Sequence, residues 1–121
     1  MKYVYPLKDA KVIQKFGVDI SIYSAPSQNS FVYEETEAGH FEEFYDTVST
    51  YTWFIVAGKG TFVINGEHLE VNPKDLVVVP PSTKIYYFGK MKMLLAVSPA
   101  FNARNERHVR DVDPSESPYE N

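Results

Sequence analysis

The chain carries three histidines, His40, His68 and His108, and no cysteine. Imidazole is the side chain that changes charge near neutral pH, so these are the first candidates for acid–base or metal chemistry. His68 stands in TFVINGEHLEV. Asn65-Gly66 in that stretch marks a two-residue hairpin, because a type I′ turn needs positive φ at both positions. The hairpin sets Val63 opposite His68 and Phe62 opposite Leu69. Phe62, Ile64 and Leu69 then share an apolar face, and His68 joins Thr61 and Glu70 on the other, facing solvent. His40 stands in AGHFEEFYDTVST, an acidic stretch without clear periodicity. His40, Glu42, Glu43 and Asp46 could in principle assemble a metal site. Four such groups on a short acidic segment are more simply a solvated face.

The second set of chemical groups is aromatic. Nine tyrosines, eight phenylalanines and one tryptophan are present. Tyr51, Trp53 and Ile55 alternate along one face of YTWFIVA, and Ile85 and Tyr87 along one face of IYYFG. SFVYEETE places Phe31, Tyr33, Glu35 and Glu37 on one face. Rings, hydroxyls and a carboxylate suit a small polar ligand with apolar faces, such as a sugar, a nucleotide sugar or an aromatic acid. The same rings could simply fill a small barrel. A buried tyrosine hydroxyl needs a partner, which favours a cavity role for Tyr33, Tyr45 and Tyr51.

The elements that must position these groups are strands. KVIQKFGVDISIYS carries Val18, Ile20 and Ile22 at period two, and SAPSQNS is a polar loop. YTWFIVA is apolar on both faces, as a strand packed on two sides would be. DLVVVP, IYYFG and MLLAV follow the hairpin at short, even spacing, which predicts a sandwich or barrel. After SPAF the chain becomes polar, charged and rich in Pro and Ser. Residues 1–110 are expected to form one domain and 111–121 a flexible tail.

Composition excludes several classes. At 121 residues the chain has the size of one domain. The net charge is −4 and the pI about 5.3, with no basic stripe, so nucleic acid is not an expected partner. Without cysteine there is neither a disulfide frame nor a thiolate metal site. No apolar run reaches membrane length, and MKYVYPLKDAK lacks the apolar centre of a signal peptide. A cytoplasmic protein is the expectation.

Residues 39–89 resemble the cupins, small double-stranded β-helix or jelly-roll barrels. The first cupin motif is Gly, five residues, His-x-His, three or four residues, Glu, six residues, Gly. Its spacing falls here on Gly39, Tyr45, Thr47, Tyr51 and Gly58. The second motif falls on Lys74, Pro80, Ser82, Ile85 and Gly89, and PKDLVVVPPSTKIYY has the cadence of the cupin stretch PGDLVFIPPGVPH. The resemblance implies an all-β barrel whose metal positions are Tyr45, Thr47, Tyr51 and Ile85. None of these is an imidazole or carboxylate, so no metal or other cofactor is expected. The expected ligand-binding residues are Tyr33, Glu35, Tyr45, Thr47, Tyr51, Trp53, Ile85 and Tyr87. The expected activity is metal-independent binding of a small polar molecule in the barrel. One alternative is a metal-free sugar isomerase or epimerase using His40, Tyr45 or Tyr51, assisted by Glu35, for acid–base chemistry. His40 would then have to fold over the mouth, since no histidine is placed inside. The other alternative is a structural module that pairs through sheet faces, as a homodimer.

Overall fold

Two long strands organise the molecule. The computed structural model describes residues 1–119. Among the described residues nine strands follow in order: β1 Lys11–Lys15, β2 Val18–Ile22, β3 Ser30–Thr36, β4 Gly39–Asp46, β5 Thr50–Ile64, β6 Glu67–Val71, β7 Leu76–Val79, β8 Ile85–Ser98 and β9 Glu106–Asp111. β5 and β8 pair antiparallel along almost their whole lengths, from Thr50↔Ser98 to Ile64↔Ile85. Each belongs to two half-sheets. The first half of β5 and the second half of β8 lie between β7 and β3, with β2 and β1 beyond. The second half of β5 and the first half of β8 lie between β6 and β4, with β9 beyond.

The two strands turn together at glycines. Gly60 pairs with Gly89, and a Cβ on Gly89 would stand 2.6 Å from the Gly60 Cα. Only a pair without side chains lets the strands cross so closely while the sheet changes direction. The inner faces of the two halves then meet. Val32, Trp53, Ile55 and Leu95 from one half pack against Phe44, Phe62, Ile85 and Tyr87 from the other in one core. The all-β double-stranded barrel expected from the sequence is the fold observed.

The Asn65-Gly66 hairpin forms in the expected register, with φ of 48° and 82°, and His68 is exposed. Its faces differ from the expectation. Leu69 is 39 % exposed, whereas Thr61 and Val63, on the face assigned to solvent, are buried. The covering comes from the C-terminal segment. Val112 packs with Val63, Tyr86 and Phe88, and Phe41 and Tyr119 lie against them. The Tyr119 hydroxyl bonds Thr61, and Arg110 ties Glu43 to Glu116. A capping box between Asp113 and Glu116 closes the short 3₁₀ turn Pro114–Glu116. Residues 112–119 are thus laid on the barrel, where sequence composition alone predicted a mobile tail. Glu120 and Asn121 of that tail lie outside the described residues.

AGHFEEFYDTVST is also more regular than its sequence. Residues 39–46 form β4, with His40, Glu42, Phe44 and Asp46 buried. Three polar groups at buried positions erase the hydrophobic alternation, and a bulge between His40 and Phe44 breaks the pairing. Among the described residues, no helix is long and apolar enough to cross a membrane.

A candidate active site inside the barrel

A cavity of about 310 Å³ opens between the two halves, at the lower end of ordinary small-molecule pockets. Its rim is apolar and partly exposed, with Ile13 of β1 and Phe101 of the loop before β9. Ile20 and Ile22 of β2 line the wall. Its deep end is polar and almost closed to solvent. There stand Glu34 of β3, His40 of β4, Tyr51 and Trp53 of β5, and Tyr87 of β8, each no more than 5 % exposed.

His40 is held in one tautomer. Its Nδ1 lies 2.9 Å from the Glu42 carbonyl oxygen, which can only accept, so Nδ1 carries the proton and Nε2 is the free base. Burial lowers its pKa to about 4, so the ring is neutral at physiological pH. The rings of Phe44 and Tyr87 lie 5.1 and 5.5 Å from it, and Phe16 5.8 Å. Glu42 lies behind it: Oε1 is 3.9 Å from His40 Nε2 and has no hydrogen-bond partner, while Oε2 accepts from His108 Nδ1 at 2.8 Å.

Glu34 is the buried acceptor for two neighbours. Its Oε1 receives the Trp53 indole N–H at 2.9 Å and the Tyr87 hydroxyl at 3.0 Å. Burial pushes its pKa up, against those two bonds, which pull the other way. A third set reaches in from the rim. Lys15 of β1 pairs with Glu106 Oε1 at 2.9 Å, and Glu106 Oε2 accepts from the Tyr51 hydroxyl at 2.7 Å. Tyr51 also donates to Asp46 Oδ2 at 3.3 Å, and Asp46 Oδ1 binds the amides of Val48 and Ser49 in the turn to β5. Burial, with the two carboxylates, drives the Tyr51 pKa well above its ordinary value, so its proton stays.

The expected ligand residues separate into two groups. Tyr51, Trp53 and Tyr87 line the cavity, and His40, expected to need folding over the mouth, is already inside. Ile85 is buried in the core beside it. Tyr33, Glu35, Tyr45 and Thr47 do not line the cavity. On β3 the buried positions are Val32, Glu34 and Thr36, so Tyr33 and Glu35 face outward; on β4 Tyr45 lies between inward Phe44 and Asp46, and Thr47 is exposed. Sequence reading chose the wrong parity because both phases of SFVYEETE contain an apolar residue, an acid and a further hydroxyl. Glu34, Lys15 and Glu106 went unseen. One signal pointed to Glu34: a buried Trp53 N–H and a buried Tyr87 hydroxyl on neighbouring inner faces require an acceptor.

A cupin metal does not fit these residues. Tyr45 and Thr47 are off the cavity, Ile85 has no donor atom, and the Tyr51 hydroxyl is committed to Glu106 and Asp46. His40, Glu42, Glu43 and Asp46 do not converge either. Glu43 points out to Arg110, and among the described residues no three His, Cys, Asp or Glu side chains come together as a metal would need.

Similarity to solved structures identifies the family. Pac13 of Streptomyces, a nucleoside dehydratase, is 42 % identical over 98 % of this chain and 99–100 % of its own, with a TM-score of 0.95. The chain belongs to the Pac13 family of cupins. Family members solved with uridine include forms of Pac13 carrying a tyrosine-to-phenylalanine or a histidine-to-glutamine replacement. KdgF from Halomonas, at 14 % identity, covers 86 % of this chain and 99 % of its own with a TM-score of 0.73, and shares the fold. Ectoine synthase from P. lautus, at 13 %, covers 93 % of each chain with the same TM-score. No protein-family model and no curated protein matches the chain.

Proposed function

We propose that this protein binds a nucleoside in the barrel and removes water from it. The observation that carries the reading is His40, a buried neutral imidazole with its proton fixed on Nδ1. It lies in the cavity of a chain 42 % identical to a nucleoside dehydratase. Its unprotonated Nε2 can take a proton from carbon, provided a neighbouring carbonyl makes that C–H acidic. The substrate is therefore a nucleoside with a carbonyl beside the carbon that loses its proton and a hydroxyl on the next carbon. The flat base suits the apolar rim of Ile13 and Phe101 and the adjoining wall at Ile20. The sugar then reaches inward past the Lys15–Glu106 pair, where Lys15, Glu106 and Tyr51 can hold its hydroxyls, toward His40 at the polar deep end. The nucleoside replaces the free sugar or nucleotide sugar anticipated from the sequence. Proton transfer through His40 accounts for the elimination without a metal.

Two measurements test this. Trp53, the single tryptophan, stands in the cavity, so uridine should change its fluorescence on binding. Loss of one water from a nucleoside carrying the required carbonyl should be visible by mass spectrometry. His40→Gln should bind uridine within a few-fold of the parent and lose roughly a hundredfold or more in turnover, the usual worth of a positioned base. A His40→Gln protein that dehydrates at the parental rate removes the assignment. Binding without turnover by the parent leaves a nucleoside-binding module instead.

A further inference from the structure

Glu34 is 4 % exposed, yet the protein uses only one of its two carboxyl oxygens. Oε1 takes both facing donors, the Trp53 N–H and the Tyr87 hydroxyl. Oε2 receives no hydrogen bond from any described residue, and it is not sealed off: Glu42 Oε1 is the buried oxygen that lacks a partner, while Glu34 borders the cavity. Two bonds occupy both lone pairs of a carbonyl oxygen. With Oε1 filled by two donors, Oε2 is the oxygen left to carry the proton of the neutral carboxyl group, on the side of the ligand space.

The surroundings agree with the geometry. Desolvation favours the protonated form of Glu34, Glu106 reinforces it, and Trp53, Tyr87 and Lys15 oppose it. The same burial keeps His40 unprotonated. Both groups touch Tyr87, Glu34 through the hydroxyl and His40 through the ring. One cavity therefore holds an acid and a base whose burial favours the uncharged form of each, which reverses the ordinary order of their proton affinities.

We propose that Glu34 is the proton donor of the elimination, its Oε2–H protonating the departing hydroxyl while Trp53 and Tyr87 hold Oε1. This rests on the dehydratase reading above. His40 Nε2 takes the proton from carbon, and the electron pair of that C–H bond becomes the C=C bond. The C–O bond breaks, its electron pair stays on oxygen, and oxygen takes the Oε2 proton to leave as water. His40 ends as imidazolium and Glu34 as carboxylate. One proton passed from the first to the second restores both, so no oxidant or reductant is consumed. The Trp53 and Tyr87 bonds become charge-assisted as Glu34 loses its proton, which strengthens them when the barrier is crossed.

Glu34→Gln isolates this role. The amide carbonyl still accepts from Trp53 and Tyr87, and the amide N–H still donates toward the cavity, but no proton can be delivered. The variant should bind uridine within about threefold of the parent, as a neutral hydrogen-bonding equivalent does. It should dehydrate the hydroxyl substrate about a hundredfold or more slowly. With an analogue in which fluoride replaces the departing hydroxyl, a group that leaves without full protonation, Glu34→Gln should recover most of its rate and His40→Gln should not. Glu34→Gln at the parental rate on the hydroxyl substrate overturns the proposal. So does an equal defect on both leaving groups, which marks a positioning role, or a loss of uridine binding that accounts for the whole defect. A parent inactive on every such nucleoside overturns the dehydratase reading and this step with it, whereas an active parent with an active Glu34→Gln overturns this step alone.

Discussion

His40 is buried in its uncharged form, burial favours the uncharged form of Glu34, and both should leave a mark on stability. An unfolded His40 titrates near its ordinary 6.5, and the folded one near 4. Between those values the unfolded chain holds more protons than the fold, so stability falls as pH drops through the window. The full loss, reached below about pH 4, is on the order of 3 kcal/mol. Denaturant titrations from pH 7 to 4 should show that slope in the parent and a shallower one in His40→Gln. Equal slopes would mean that His40 is protonated in the fold. Glu34 has the opposite sign. Its folded pKa lies above the ordinary 4.5, so its contribution weakens stability as pH rises from there through the raised value, and Glu34→Gln should lack that decline. Tyr51 is a third case. Its hydroxyl is the donor shared by Glu106 and Asp46, so Tyr51→Phe leaves two carboxylates short of a partner. We expect it to cost about 1–3 kcal/mol and to weaken uridine binding through the released Lys15–Glu106 pair. A Phe variant as stable as the parent would show that water satisfies both acids.

Among the elements, two glycines in the left-handed φ range separate strain from space. Gly66, at φ 82°, sits at the tip of the β5–β6 hairpin, and a Cβ there meets nothing within 4 Å. Gly66→Ala should cost roughly 1 kcal/mol, the backbone penalty alone, and leave the site untouched. Gly39, at φ 138°, opens β4 beside β8, and a Cβ there would stand 2.4 Å from the Tyr87 carbonyl oxygen. Gly39→Ala must push β4 away from β8 next to both His40 and Tyr87. It should lower the melting temperature more than Gly66→Ala and also weaken uridine binding, read by Trp53 fluorescence. Equal effects of the two substitutions would show that β4 is free to shift.

For the whole molecule, the barrel has a second, smaller core outside the first. Val112 is 3 % exposed and seals Val63, Tyr86 and Phe88 from solvent. Val112→Ala should cost about 1.5–3 kcal/mol, the burial of one valine side chain and the gap left behind. Because this cluster lies on the far side of β8 and β5 from the cavity, uridine affinity should change little. A neutral substitution, measured by chemical denaturation, would return the C-terminal segment to the status of an appendage.

Much of this fold was legible in the chain itself. Asn65-Gly66 fixes a hairpin because few residues tolerate positive φ, and that information is local. The strands YTWFIVA and IYYFG are apolar on both faces, and it is the cupin motif positions at Tyr51 and Ile85 that mark the face of Tyr51, Trp53 and Tyr87 as inward. The candidate site was legible only in part. On SFVYEETE either phase reads as a strand, so only pairing with β8 decided that Glu34 rather than Glu35 enters the barrel. On β4 the buried positions are polar, so hydrophobic periodicity could not reveal a strand or place His40 inside. Lys15 and Glu106 are 91 residues apart and meet only because β1 and the start of β9 approach the same rim. The sequence by itself determined the β5–β6 hairpin, the strands around it and that the barrel would be aromatic inside, whereas β4 and β9 were set by their pairing. Which acid and which base enter the cavity depends on contacts distant along the chain, and those were decided by the tertiary structure alone.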